Sequence, residues 1–171
     1  SEALLHLACF CARSDINAVV HAHPPYATAF AALGRPVPTR YLTEIAVALW
    51  EVPCAEYATP GTMEVPESAL PMLATADAFL LRNHGVVTVG RDLWEAYYRM
   101  ETVEQGAKVA TVIAQLGGAP TFDDQQLRYL AAIRRENGLG VRPDDYDPSG
   151  CIERIVEGWG ETLGENSGNG Q

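Results

Sequence analysis

The chain has 171 residues and a mass of 18.5 kDa, with 47% apolar and 20% charged residues. These values predict one globular domain with a sizeable core and exclude a chain that is disordered along its whole length. Its 22 acidic and 12 basic residues give a net charge of −10 without a basic patch, which argues against nucleic acid and anionic membranes as partners. No apolar run is long enough to suggest a membrane span.

The hydrophobic pattern predicts helices that alternate with short strands. The predicted helices cover residues 2–13, 26–33, 43–50, 66–75, 92–116 and 124–136. The predicted strands cover residues 17–23, 52–57, 78–81 and 86–89. Because only a tight turn separates the last two strands, we expect them to pair antiparallel. The predicted fold is therefore α/β, with helices covering a mixed, largely antiparallel sheet.

Helix-end signals divide the chain into a domain and a tail. Ser1 is a candidate N-cap for the first helix, and Asp92 with Glu95 forms a capping-box pattern at the start of the longest one. Beyond residue 136, Gly, Asp, Pro and Asn dominate. We therefore expect a domain over residues 1–138 and a polar, Gly-rich tail over 139–171 that is partly disordered, above all at 164–171.

The four cysteines do not form a C-x-x-C pair or a pattern typical of a disulfide framework. Cys9 and Cys11 lie in an apolar helical stretch, which predicts buried free thiols. A reducing cytoplasm is the compartment that fits this pattern best.

Three histidines lie where predicted strands meet loops. His21 and His23 are separated by one residue, so their imidazoles project from the same face of a strand. His84 lies in a tight turn at the end of another strand, beside Gly85. Three neutral imidazoles could hold zinc and leave a fourth position for water or substrate. From this pattern alone, hydrogen-bonded structural histidines remain an open alternative.

The first helix carries two further candidates. Glu2 and His6 are four residues apart and therefore share a helix face. Taken alone, Glu2 is a first-turn carboxylate favoured by the helix dipole, and His6 is a structural histidine. The chain contains no phosphate loop, dinucleotide fingerprint, H-E-x-x-H motif or nucleophile elbow.

Four sequence blocks occur together in a characteristic order. They are Ser1-Glu2 with His6, then residues 17–23 (NAVVHAH), 57–62 (YATPGT) and 80–85 (LLRNHG). In order and spacing they resemble the class II aldolase/adducin family, from Ser1 to about Gly118. The resemblance implies a three-layer α/β/α fold.

The resemblance also implies roles for site residues. His21, His23 and His84 match the family's zinc-binding histidines, and Glu2 matches the catalytic acid/base of its aldolases. The implied reaction is zinc-dependent cleavage of a ketose 1-phosphate, of the L-fuculose 1-phosphate type, to dihydroxyacetone phosphate and a short aldehyde. The alternatives are epimerase, dehydratase or decarboxylase chemistry, or a non-catalytic adducin-like binding domain. Glu2 favours the aldolases over the epimerases, which carry Asp there, and His6 matches a histidine for which the family suggests a supporting role.

Two further residues follow from the same resemblance. The family's aldolases are homotetramers in which a neighbouring subunit supplies a Tyr proton donor; ungapped counting reaches Leu42, which makes the adjacent Tyr41 the candidate. Ser1 matches a Ser beside the phosphate of the substrate. Most of the family's other phosphate-binding residues precede the catalytic Glu, so we expect this chain to lack the family's N-terminal segment. The expected partners are therefore a small sugar phosphate and further copies of the chain.

Overall fold

The computed structural model describes residues 2–140 and 144–165, with side chains described as far as residue 157. The described residues form four strands: β1 (Ala18–Ala22), β2 (Cys54–Ala55), β3 (Ala78–Leu81) and β4 (Gly85–Gly90). They also form seven helices: α1 (Ala3–Ala12), α2 (Pro25–Leu33), α3 (Thr43–Leu49), α4 (Glu64–Leu73), α5 (Leu93–Gln115), α6 (Asp124–Glu136) and α7 (Pro148–Glu165). None of these helices is long and apolar enough to cross a membrane.

The strands form one mixed sheet in the order β1-β4-β3-β2. β4 pairs antiparallel with both β1 and β3, whereas β2 pairs parallel with β3. This arrangement confirms the predicted mixed, largely antiparallel sheet. The antiparallel pairing of β3 and β4 follows from the short turn that joins them.

Two apolar cores lie on opposite faces of the sheet. One packs α1, α4 and α7 against residues such as Phe79 and Val87, and the other packs α2, α3 and α5 against Leu80 and Val86. Neighbouring strand residues therefore face different cores, because successive side chains alternate across a strand. This double coverage confirms the three-layer α/β/α fold and explains why β3 and β4 are apolar along their whole length.

Strand β2 is shorter than predicted. The sequence predicted a strand over 52–57, but only Cys54 and Ala55 pair with β3. Pro53 precedes them and has no N–H to donate, although its carbonyl accepts from the N–H of Leu80 at 2.8 Å. β2 is also the edge strand of the sheet, so no second neighbour extends its pairing.

Helix α7 lies in the segment that was predicted to be a tail. Its start carries a capping signal that the sequence analysis missed: Asp147 accepts a hydrogen bond from the N–H of Gly150 at 2.9 Å, and Pro148 is the first helical residue. The helix packs on α1 through Cys151, which is fully buried. The sequence analysis predicted no helix in this polar, partly disordered tail, so α7 is an element that it missed; residues 166–171 lie outside the described part.

The predicted helix caps were only partly right. Asp92 accepts from the N–H of Glu95 at 2.8 Å, but the Glu95 carboxylate accepts from the N–H of Arg91 at 2.6 Å rather than from Asp92. A complete capping box forms instead between Asp123 and Gln126 at the start of α6. α1 is preceded by Glu2, and the candidate cap Ser1 lies outside the described residues.

All four cysteines are free thiols. Cys9 is buried, as predicted, but Cys11 is only half-buried. The prediction that both thiols are buried is therefore wrong for Cys11.

Candidate functional site

Three imidazoles meet at one end of the sheet. His21 lies in β1, His23 follows that strand directly, and His84 lies in the turn between β3 and β4. Because β1 pairs with β4, this turn lies beside the end of β1. The ring centroids are 4.8–5.0 Å apart, and one nitrogen of each ring lies within 4.8 Å of those of the other two. The structure therefore brings together the three histidines that the sequence singled out.

A backbone carbonyl orients the His21 ring. Nδ1 of His21 lies 2.9 Å from the carbonyl oxygen of Val86. Since a carbonyl can only accept, Nδ1 carries the proton, and the lone pair of Nε2 is directed toward the other rings. Nε2 of His21 lies 3.2 Å from Nε2 of His23. Burial lowers the pKa of His21, so its neutral, ligating form is favoured.

The turn that carries His84 depends on the residues on either side of it, Asn83 and Gly85. Asn83 adopts a left-handed backbone with φ of 59°, a conformation that Asn tolerates better than most residues. Gly85 leaves room for the neighbouring imidazole, because a Cβ there would lie 2.3 Å from Cδ2 of His23. Both features permit the close approach of the β1 end to this turn.

Glu2 faces the same space as the histidines. Its Oε1 lies 3.7 Å from Nε2 of His84 and 3.9 Å from Nε2 of His21. The side chain makes no capping hydrogen bond to α1 and is 46% exposed, so the carboxylate remains open to a ligand. His6 lies one turn further along α1, where its N–H donates to the carbonyl of Glu2 at 3.1 Å.

The residues present fit a zinc-type cation. Neutral imidazoles suit zinc, and tetrahedral zinc with its usual bond lengths separates two ligand nitrogens by about 3.3 Å. The separation of 3.2 Å between the Nε2 atoms of His21 and His23 agrees with this value. Three imidazoles would leave one coordination position open beside Glu2.

Of the two remaining candidates, the structure describes Tyr41 alone. Tyr41 is half-buried in the turn before α3, and among the described residues no hydrogen bond or ion pair joins it to Glu2 or the histidines. Ser1 lies outside the described residues. The contribution of the Val86 carbonyl was missed by the sequence analysis, since only strand pairing brings it to His21.

Comparisons with known proteins identify the family to which the chain belongs. Residues 1–111 match the family model described as Class II Aldolase and Adducin N-terminal domain. The chain belongs to the class II aldolase and adducin family. The L-fuculose phosphate aldolase of Escherichia coli O6:H1 is 32% identical over 142 residues, which span 82% of this chain and 66% of that protein. The 5-deoxy-D-ribulose 1-phosphate aldolase of Bacillus thuringiensis serovar kurstaki is 34% identical over 132 residues, which span 77% and 61%.

A solved structure supports the same class II aldolase fold. A structure of L-fuculose 1-phosphate aldolase superposes with a TM-score of 0.71 at 32% identity, covering 78% of this chain and 63% of that one. The alignments thus span about two thirds of the length of these class II aldolases.

Proposed function

We propose that this chain carries the metal centre of a zinc-dependent aldolase that cleaves a ketose 1-phosphate of the L-fuculose type to dihydroxyacetone phosphate and a short aldehyde. The observation that carries the proposal is the position of the Glu2 carboxylate, 3.7 Å from His84 and 3.9 Å from His21. The relatives named L-fuculose phosphate aldolase and 5-deoxy-D-ribulose 1-phosphate aldolase support the substrate class.

His21, His23 and His84 are the residues that hold the zinc in this proposal. Bound zinc supplies a Lewis acid that polarises the substrate carbonyl and stabilises the negative charge that develops on cleavage. The Val86 carbonyl keeps His21 in the ligating tautomer, and burial keeps its imidazole neutral. The ring of His21 is therefore already oriented for binding, and few protons compete with the metal for its nitrogen.

Glu2 is the proton-transfer group of the proposed reaction. Cleavage of the carbon–carbon bond requires a base to take the proton of the substrate hydroxyl, and the new carbonyl product then leaves. Oε1 of Glu2 faces the histidines from the solvent-accessible side, where such a hydroxyl can reach it. The complete set of three histidines and a carboxylate supports catalysis over the adducin-like binding role.

Further parts of the proposal concern the assembly. Tyr41 would donate a proton to the site of a neighbouring copy in a homotetramer, and Ser1 would contact the substrate phosphate. A small sugar phosphate is the partner, and the cytoplasm is the compartment.

The test combines metal analysis with a cleavage assay on the purified full-length protein. We expect one zinc per chain by elemental analysis and release of dihydroxyacetone phosphate from L-fuculose 1-phosphate. Glu2→Gln should keep the zinc but lower kcat by about 100-fold or more, because the base is lost. His84→Ala should lose both zinc and activity.

Glu44→Gln is the matched control, since Glu44 is an exposed carboxylate in the first turn of α3. It should retain zinc and full activity. A Glu2→Gln variant with unchanged activity would contradict the role of Glu2. An epimerised or decarboxylated product in place of dihydroxyacetone phosphate would replace the aldolase assignment with one of the family's other reactions.

A further inference from the structure

Helices α1 and α7 meet at a group of three cysteines that the metal centre does not use. Cys9 and Cys151 are fully buried, whereas Cys11 is half-buried. The Cys151 thiol donates a hydrogen bond to the carbonyl oxygen of Ala8, one helical turn before Cys11, at 3.5 Å, and the Cys11 side chain is among its neighbours. Two thiols from segments far apart in sequence therefore lie side by side where α1 meets α7.

An arginine of α7 donates to Sγ of Cys11. Nε and Nη2 of Arg154 lie 3.4 Å and 3.3 Å from Sγ of Cys11. The third nitrogen, Nη1, lies 3.6 Å from Oδ2 of Asp147, which steadies the guanidinium at the start of α7. Reactive cysteines lie in partly exposed, positively charged surroundings of this kind.

Cys11 and Cys151 differ in how easily solvent reaches them. Arg154 is 57% exposed, so solvent and small oxidants can approach Cys11 from its side. Cys151 lies behind Cys11, and burial raises its pKa to about 12. Cys11 is thus suited to react first, while Cys151 remains a protonated thiol beside it.

We propose that Cys11 and Cys151 form a redox-active pair, which a peroxide converts to an intramolecular disulfide between α1 and α7. In the first step, the Cys11 thiolate attacks one peroxide oxygen and the O–O bond breaks. Sγ of Cys11 is oxidised by two electrons to the sulfenic acid, while the other peroxide oxygen is reduced and takes a proton from solvent to leave as water or alcohol.

In the second step, the Cys151 sulfur attacks Sγ of Cys11. The S–S bond forms as the S–O bond breaks, and the sulfenic hydroxyl leaves as water with the proton of Cys151. The product ties α7 covalently to the helix that begins beside Glu2. A thiol reductant reverses the modification by thiol–disulfide exchange.

The experiment treats the reduced full-length protein with a small excess of hydrogen peroxide and maps the products by non-reducing peptide mass spectrometry. We expect the chain to become roughly 2 Da lighter, because two thiol hydrogens are lost. Fragmentation should locate the cross-link at Cys11 and Cys151 rather than at Cys9, and dithiothreitol should remove it. Arg154→Gln should slow its formation several-fold, with partial recovery in Arg154→Lys.

Cysteine variants separate the roles of the two thiols. Cys151→Ala keeps the buried position apolar and should accumulate a Cys11 sulfenic acid that dimedone traps. Cys11→Ser should form neither the cross-link nor a dimedone adduct at Cys151. Cys54→Ser is the matched control, because Cys54 is a half-buried thiol in β2 on the other side of the sheet, and it should cross-link at the wild-type rate.

Three results would overturn the proposal. They are a wild-type protein that forms no cross-link, a cross-link that uses Cys9 or Cys54, and oxidation of Cys11 to the sulfinic acid, roughly 32 Da heavier, without a cross-link. Circular dichroism of each variant establishes that it is folded before its product is scored.

Discussion

Gly85 and His23 are in such close contact that the glycine has no room for a side chain. A Cβ on Gly85 would lie 2.3 Å from Cδ2 of His23 and 2.7 Å from the carbonyl oxygen of Ala22. Neither group can yield easily, since one is a ring held between two others and the other belongs to the β1–β4 ladder. The glycine after His84 is therefore a steric requirement of the histidine cluster.

This contact predicts the effect of Gly85→Ala. The added methyl group should displace the His23 ring and lower zinc affinity by about 10–100-fold, as expected when the support of a ligand is lost. Competition with a chromophoric chelator measures the affinity. Gly106→Ala in α5 is the control, because its Cβ would meet the side chains of Ile45 and Val37 rather than a histidine, and the metal affinity should not change. Wild-type affinity in Gly85→Ala would contradict the steric argument.

Removal of the metal should destabilise the protein. A cation held by His21, His23 and His84 would link the end of β1 to the β3–β4 turn. A ligand that binds only the native state raises the free energy of unfolding by about 2.7 kcal/mol when its concentration is 100 Kd. We therefore expect a chelator to lower Tm by about 5–10 °C. Calorimetry with and without chelator tests this. The His84→Ala variant should show little chelator effect, and an equal shift in that variant would place the stabilising metal elsewhere.

The buried ion pair between Asp77 and Arg13 predicts a large stability effect. Oδ1 of Asp77 lies 2.9 Å from Nη1 of Arg13, both side chains are 3% exposed, and Oδ2 of Asp77 lies 3.3 Å from Nη2 of Arg99. Asp77→Asn removes the buried anion that Arg13 and Arg99 share and leaves their charges to the more exposed Asp15 and Glu95, so it should lower the free energy of unfolding by about 3–5 kcal/mol. Urea denaturation measures the change.

Asp15→Asn provides the comparison for Asp77. Asp15 also pairs with Arg13, at 2.6 Å, but is 35% exposed. Because water screens this ion pair and can solvate the Arg13 guanidinium in its place, Asp15→Asn should lower the free energy of unfolding by about 1 kcal/mol. Equal losses in the two variants would show that burial of Asp77 is not the deciding factor.

The buried thiols predict a pH-dependent pattern of alkylation. Burial raises the pKa of Cys9 from 9.0 to about 12, so at pH 8 its thiolate fraction is on the order of 10⁻⁴. In the folded protein, iodoacetamide should therefore label Cys11 well before Cys9, and labelling of Cys9 should rise with pH about tenfold per unit. Quantitative mass spectrometry measures the rates, and all four cysteines should react in denaturant. Rapid labelling of Cys9 at pH 8 would contradict its burial.

Local sequence patterns predicted most of the helices and strands and the three histidines of the candidate metal site. β-branched and apolar runs indicated the strands, and the one-residue spacing of His21 and His23 placed both rings on one side. Helix α7 was missed, although Asp147 and Pro148 form a recognisable helix start, because the polar composition after residue 136 favoured a tail. Its stability comes from packing on α1 through Cys151, and composition does not report such a contact.

Local periodicity and residue chemistry were enough to predict the α/β layout, the three histidines and the carboxylate at position 2. How these groups meet depends on contacts between distant segments. The tautomer of His21 is set by a carbonyl 65 residues away, and Glu2 reaches His84 because α1 packs against the sheet. Cys11 and Cys151 likewise come together only because α1 packs against α7. Local patterns specify the conformation of a segment, whereas contacts between distant segments depend on which surfaces the folded chain buries together.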